Sequence, residues 1–126
     1  MVVAGVMLVA TTSAQAFFQL QTPSHNIACV GDAHYIRCDT LFMTKFAAPR
    51  YKPKGCDLDW GPVSMSPRGR SGVICAGDTA LDPRAPVLRY GQSKVYAHAF
   101  RCTSRASGLR CQNRAHHGFF LSRQKQ

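Results

Sequence analysis

The segment NIACVGDAHYIRC, residues 26–38, has the pattern of a disulfide-closed β-hairpin. Strand-like residues flank Cys29 and Cys38, and the turn-like residues 31–33 lie between them. An even number of intervening residues places two cysteines opposite each other on the paired strands of a tight hairpin. The segment therefore predicts two antiparallel strands joined by a Cys29–Cys38 disulfide.

The segment AFRCTSRASGLRC, residues 99–111, has the same spacing and predicts a second hairpin with a Cys102–Cys111 disulfide. The remaining cysteines then form a Cys56–Cys75 pair by elimination. Each bridge would stabilise the fold by about 3 kcal/mol by restricting the unfolded chain. The alternative use of the cysteines is a zinc site, but no C-x-x-C pair occurs, so we expect no metal.

The rest of the chain favours an all-β fold, a small disulfide-braced sandwich or barrel of short antiparallel strands. Strand signals are short and separated by turn residues, and residues 94–102 alternate between two faces. Residues 49–67, which contain four prolines, indicate an irregular loop, and residues 78–81 a short helical turn. The predicted strands cover residues 27–30, 35–38, 41–46, 73–75, 87–90, 94–102, 109–111 and 118–121.

The first 16 residues resemble a secretory signal peptide, although they lack a positively charged start. Residues 2–10 are almost wholly apolar, and Ala14-Gln15-Ala16 is a typical cleavage site. We expect cleavage after Ala16, which leaves residues 17–126 as a single exported β-rich domain, periplasmic or extracellular, with no transmembrane segment. The alternative is a buried N-terminal strand or helix. Export makes disulfides the default use of the cysteines.

The formal net charge is +10, from 16 Lys and Arg against 6 acidic residues, all of them Asp. Such an excess favours contact with anionic partners, although no nucleic-acid-binding motif accompanies it. The alternative is that the charge only keeps an exported protein soluble. The candidate binding residues are the arginines of the C-terminal quarter, which a hairpin would place near one another: Arg101, Arg105, Arg110 and Arg114.

Seven blocks of the chain resemble a family of small exported bacterial proteins classed as a domain of unknown function. The first block departs from the family's usual SPSGNIxC opening, because His25 stands where the family usually has Gly. The resemblance implies export, disulfides and a compact single domain, and it carries over no catalytic residue. The blocks are PSHNIAC (23–29), RCD (37–39), CDLDWG (56–61), CAGDT (75–79), LRYG (88–91), GLRCQN (108–113) and HGFFLSR (117–123).

Two acidic residues and the single tryptophan form one candidate site. Asp57 and Asp59 alternate about Leu58, so both could point the same way as an acid–base pair or as part of a calcium site. The alternative is that they pair with arginine and cap turns. Trp60 could stack on a sugar or a base, or it could simply anchor a loop in the core.

Histidines form the second candidate site. A basic, disulfide-linked, exported protein with histidines has the general outline of a small ribonuclease, which needs two positioned histidines. Adjacent residues on a strand face opposite ways, so His116 and His117 cannot act together without a turn. His98 and His117, with an Asp, are therefore the catalytic candidates.

These patterns favour a non-enzymatic binding or interaction module for an anionic polymer or an envelope protein. No phosphate-loop, dinucleotide or nucleophile-elbow motif occurs, and we expect no cofactor. One alternative is a small secreted hydrolase that acts on phosphodiester or glycan bonds. Another is a proteinaceous enzyme inhibitor that presents residues 49–67 as a rigid loop.

Overall fold

A computed structural model describes residues 17–41, 53–56 and 59–122, with the backbone alone for Asp59 and Trp60. These residues form β-strands and no helix, and none of them belongs to a helix long and apolar enough to cross a membrane. The strands are β1 (Phe18–Gln21), β2 (Ile27–Gly31), β3 (Ile36–Thr40), β4 (Asp59–Met65), β5 (Gly72–Ala76), β6 (Ser93–Tyr96), β7 (Phe100–Arg105), β8 (Gly108–Asn113) and β9 (Gly118–Leu121).

The strands form two antiparallel sheets in which sequence neighbours pair. The first five make a five-stranded sheet in the order β1-β2-β3-β4-β5, and the last four make a four-stranded sheet in the order β6-β7-β8-β9. Buried residues of both sheets form one hydrophobic core, and the rings of Phe18 and Phe100 pack across it with their centroids 6.4 Å apart. The all-β prediction is confirmed.

Three disulfides brace the sheets, and they join the pairs that were predicted, two from spacing and Cys56–Cys75 by elimination. Cys29 lies directly opposite Cys38 on β2 and β3, and Cys102 lies opposite Cys111 on β7 and β8; both pairs have Cα atoms 4.1 Å apart. All four of these cysteines are fully buried. The Cys56–Cys75 bridge instead ties residues 53–56 to the edge strand β5, where Cys75 is exposed.

The prediction of an irregular loop over residues 49–67 is wrong for β4, which lies between β3 and β5. Proline is normally excluded from such a central strand because it cannot donate to the ladder. Here the register with β5 shifts between Trp60 and Val63, so Pro62 lies within a β-bulge. The bulge accommodates the missing N–H, and the strand continues past it to pair with both neighbours.

The predicted continuous strand over residues 94–102 is also interrupted. β6 ends at Tyr96, and the Ala99 N–H donates to the Tyr96 carbonyl at 2.9 Å to close a turn. The central residues Ala97 and His98 have φ of 53° and 54°, the signs of a type I′ turn. Ala-His lacks the Asn or Gly that usually marks such a turn, so the alternation alone predicted one strand where there are two. Consequently His98 does not share a strand face with Tyr96 and Phe100.

Three other predicted elements differ from the structure. Residues 78–81 contain no helical turn, and within residues 87–90 only Val87 makes a β-bridge, with Gln21. Of the strand predicted over residues 41–46, only Leu41 is described, and it lies in a turn. β1 was not predicted, because four residues of mixed polarity carry too little periodicity to stand out.

Candidate anion-binding surface

The charge is distributed unevenly between the two sheets. Residues 89–122, which include the whole four-stranded sheet, contain basic residues and no acidic one, whereas all 6 Asp lie between positions 32 and 82. The four-stranded sheet therefore carries positive charge without internal compensation. The basic residues of this region are Arg89, Lys94, Arg101, Arg105, Arg110 and Arg114.

Strand register brings three of these arginines to one surface. Along β7, burial alternates, so that Arg101 and Arg105 point outward while Phe100 and Cys102 point into the core. On β8, Arg110 is exposed and lies directly opposite Thr103, the residue midway between the two β7 arginines. Directly opposed residues in an antiparallel pair share a face. We call the surface formed by Arg101, Arg105 and Arg110 the basic face.

Polar and aromatic groups complete this surface. The hydroxyls of Ser93 and Thr103 lie 2.6 Å apart on β6 and β7. The guanidinium of Arg110 lies 5.4 Å from the ring centroid of Phe120 on β9, which steadies that side chain while its charge stays exposed. Gln112 lies opposite Arg101 and adds an amide to the same row. The surface thus offers several hydrogen-bond donors around three cations.

Arg37 shows how this protein pairs an arginine internally. Its guanidinium contacts both carboxylate oxygens of Asp39 at 2.9 Å and one of Asp78 at 2.8 Å. The hydrogen bonds that Arg37 donates to Asp39, partly opposed by burial, raise the pKa of Arg37, and the hydrogen bond that it donates to Asp78 lowers the pKa of Asp78. Within residues 17–41, 53–56 and 59–122, the arginines of the basic face form no such ion pair.

Arg114, the fourth predicted binding residue, has an internal contact. It follows β8, and its Nε and one terminal nitrogen both donate to the carbonyl of His98, at 2.9 and 2.7 Å. It therefore holds the β6–β7 turn against the β8–β9 turn.

In the described part of the chain no hydrogen bond joins the catalytic candidates His98 and His117 to each other or to an Asp. His98 is exposed on the β6–β7 turn, and His117 is half-buried on the β8–β9 turn. No described histidine hydrogen-bonds to a carboxylate, and the only described cluster with metal-ligand spacing consists of disulfide cysteines. Asp57 lies outside the described residues, as do the side chains of Asp59 and Trp60, so the roles predicted for them stay predictions.

A cavity of about 1110 Å³ lies between the edge strands β1 and β6. The described part of its lining includes Lys94 and His98 and no carboxylate. Tyr96 also lines it, and burial raises the pKa of this tyrosine to about 12. A smaller cavity of about 290 Å³ lies at the end of the sandwich beside Arg105.

Sequence reasoning identified the arginines of this surface but not their polar neighbours. Arg101, Thr103 and Arg105 alternate with core residues, and this period of two could have placed Thr103 on the same face. Ser93 and Gln112 carry no comparable signal, since their positions depend on the pairing of β6 and β8 with β7.

No curated protein and no solved structure matches the chain. A family model does match, over residues 2–126, and its description is Family of unknown function (DUF6636). Because the match covers almost the whole chain, this protein belongs to that family, whose function is unknown.

Proposed function

We propose that this protein is a non-enzymatic exported domain that binds an anionic polymer through the basic face. The observation that carries the proposal is the presence of three exposed arginines on a sheet region that contains no acidic residue, with no carboxylate partner among the described residues. Export is supported by the three disulfides, which form and persist in oxidising compartments.

The spacing of the basic face suits a polymer better than a single small anion. Arg101 and Arg105 are four residues apart on one strand, which separates their Cα atoms by about 13 Å. Arg110 lies on the neighbouring strand between them, about 5 Å to the side. One small anion cannot bridge all three, whereas a chain with repeated anionic groups can contact each in turn and release several counterions.

The absence of carboxylates also argues for affinity rather than solubility alone. A protein that needs only to stay dispersed can distribute its charge over the whole surface, and mixed charges serve solubility well. Here three of the arginines share one face of a sheet that contains no acidic residue, an arrangement that favours a focused positive potential. Arginine also donates two parallel hydrogen bonds to carboxylate, sulfate or phosphate groups, which adds to the attraction.

The test measures binding of the full chain to heparin, polyphosphate and single-stranded DNA, with neutral dextran as a control, over a range of salt concentrations. We expect all three anionic polymers to bind and dextran not to bind. Affinity should fall linearly with salt on logarithmic axes. We expect each single replacement of Arg101, Arg105 or Arg110 with Gln to lower the magnitude of this salt slope by about one.

Lys54→Gln is the matched control, because it removes the same charge from an exposed residue beside the Cys56–Cys75 bridge. We expect it to leave the slope nearly unchanged. Equal binding of dextran, or equal effects of Lys54→Gln and the three arginine variants, would overturn the proposal.

A further inference from the structure

We propose that the cavity beside Arg105 binds one acidic sugar residue, so that the polymer is an acidic polysaccharide. This inference rests on the proposed function and assigns its ligand class. We call the cavity, of about 290 Å³, the end pocket. The residues that carry the argument are Thr22, Ser24, Asn26, Tyr90, Arg105 and Ser107, all of which line it.

Three connections of the fold converge on the end pocket. The β1–β2 turn forms one wall, the β7–β8 turn forms another, and the turn that precedes β6 supplies Tyr90. Because antiparallel hairpins return the chain to the same end of a sandwich, residues far apart in sequence meet there. The pocket is therefore formed by segments that are distant in sequence, and no single segment predicts it.

Hydroxyl groups dominate the first wall. The side-chain oxygens of Thr22 and Ser24 lie 3.1 Å apart, and the Asn26 backbone N–H donates to the Ser24 hydroxyl at 3.3 Å. The exposed Ser24 hydroxyl can both donate and accept, and the Asn26 side chain offers an amide. Thr22 is 2% exposed, and its hydroxyl, which also donates to the Ile27 carbonyl at 3.5 Å, supports Ser24 from behind. Neutral groups that donate and accept together match the hydroxyls of a sugar ring, whereas they give little attraction to a bare anion.

Tyr90 supplies an exposed aromatic side chain from a turn with a fixed backbone. The residue is 47% exposed, and the turn that carries it is held by three hydrogen bonds. Gln92 N–H donates to the Arg89 carbonyl at 3.0 Å, Gly91 N–H donates to the Ser104 carbonyl at 2.7 Å, and Arg89 N–H donates to the Gln92 side chain at 2.8 Å. A rigid aromatic gives contact area at low entropic cost, and its face suits the C–H face of a sugar.

Arg105 connects the end pocket to the basic face, because it belongs to both. Among the described residues of the lining it is the only charged one, and none of them is acidic. The pocket thus holds one cation among neutral donors and acceptors. That combination fits a ring that carries a single carboxylate or sulfate, while the rest of the polymer continues along Arg101 and Arg110.

The volume limits the occupant further. About 290 Å³ lies at the small end of the range for ligand sites. It suits one ring rather than a long oligomer. A nucleic acid would use the arginines for its phosphates but would gain little from the hydroxyl wall, because its bases are read chiefly by stacking.

The experiment uses calorimetry on the full chain with four hexamers: a galacturonate, a heparin-derived and a neutral glucan hexasaccharide, and a thymidine hexanucleotide. We expect one or both acidic hexasaccharides to bind more tightly than the hexanucleotide, and the glucan not to bind. Preference for the galacturonate hexamer indicates that carboxylate suffices, and preference for the heparin-derived hexamer, which carries both groups, indicates that sulfate contributes. Tyr90→Ala should weaken the preferred acidic hexasaccharide about tenfold without changing its salt slope, since tyrosine carries no charge.

Tyr35→Ala is the matched control, because Tyr35 is a similarly exposed tyrosine before β3 that does not line the end pocket. Ser107→Phe, on an exposed turn, fills the pocket without altering the core and should also weaken the acidic hexasaccharide. Suppose that Tyr90→Ala and Ser107→Phe bind the acidic hexasaccharide as tightly as Tyr35→Ala does, while the arginine variants still bind it more weakly. The proposed role of the end pocket is then wrong, and the proposed role of the basic face is retained. If no anionic hexamer binds, or the arginine variants have no effect, the proposed function itself fails.

Discussion

The sulfur atoms of Cys38 and Cys111 lie within 4.8 Å of each other, although the two residues belong to different sheets. The Cys29–Cys38 and Cys102–Cys111 bridges therefore pack against each other at the centre of the sandwich. Both are fully buried within the hydrophobic core. Each bridge thus does two things at once, since it restricts the unfolded chain and fills space between the sheets.

This arrangement predicts that removing the Cys102–Cys111 bridge destabilises the fold more than removing the Cys56–Cys75 bridge. Chain entropy alone predicts the opposite order. Cys56 and Cys75 are 19 residues apart and Cys102 and Cys111 are 9 apart, so loop closure alone makes the first bridge worth slightly more, about 3.2 against 2.6 kcal/mol. Removing the buried bridge also leaves a cavity. We expect the Cys102→Ala, Cys111→Ala double variant to lose at least about 4 kcal/mol. The Cys56→Ala, Cys75→Ala variant should lose about 3 kcal/mol.

Urea unfolding of both double variants under the same conditions measures the difference. Equal losses, or a greater loss for the longer loop, would show that the stacked bridges contribute nothing beyond their effect on the unfolded chain.

The Arg37–Asp39 pair predicts that a single substitution greatly lowers the free energy of unfolding. Asp39 is 4% exposed, and its carboxylate accepts two hydrogen bonds from Arg37 and one from the Ala80 backbone. Arg37→Met would leave that buried charge without its cation, so we expect a loss of about 3–4 kcal/mol in the free energy of unfolding. Arg101→Met is the control and should change stability by less than about 0.5 kcal/mol. Similar losses in both variants would contradict the argument.

Ser104 predicts a gain in stability. Its hydroxyl is fully buried on β7 and has no hydrogen-bond partner in the described part of the chain. An unpaired buried hydroxyl is costly, and alanine removes it with little change in volume. Ser104→Ala should therefore raise the free energy of unfolding by about 1 kcal/mol. Ser93→Ala, which removes an exposed hydroxyl paired with Thr103, should lower it slightly or leave it unchanged. A loss in Ser104→Ala would contradict the prediction.

The two hairpins and their bridges could be predicted because spacing and turn residues act locally. The five-stranded sheet was harder, since β1 and β4 are strands mainly through pairing with neighbours. The basic face was partly predictable, because alternation along β7 is visible in the sequence. The end pocket was not, because it depends on which loops meet at one end of the fold.

Positive φ angles at non-glycine residues are another reason why the sequence predicted some turns poorly. His25 has φ of 62°, in the region that glycine adopts without steric cost. Its side chain is held by Gln21, whose Oε1 lies 2.7 Å from His25 Nδ1. A non-glycine residue in this region gives no turn signal, which explains why the β6–β7 turn at Ala97 and His98 was missed.

The same turn predicts a stabilising substitution. Ala97 has φ of 53°, which crowds its Cβ, whereas glycine adopts this angle freely. Ala97→Gly should raise the free energy of unfolding by about 0.5–1 kcal/mol, despite the greater freedom of glycine in the unfolded chain. Ala106→Gly is the control, because Ala106 lies on the exposed β7–β8 turn and has no positive φ. We expect this variant to lose stability. Thermal unfolding of the two variants gives the comparison, and shifts of the same sign would refute it.

Tyr96 predicts how stability changes at alkaline pH. Burial raises its pKa from 10.0 to about 12, so the folded protein keeps the phenol neutral where the unfolded chain has lost the proton. The unfolded state then binds fewer protons, and stability falls as pH rises from about 10 towards 12. Below pH 10 both states hold the proton, and this contribution is fully present.

Tyr96→Phe removes the titrating group while keeping the ring that packs on Phe18, with centroids 4.8 Å apart. Urea unfolding at about pH 8 and about pH 11 should therefore show a smaller loss for Tyr96→Phe than for the unmodified protein. Parallel losses would mean that the phenol of Tyr96 is solvated in the folded state.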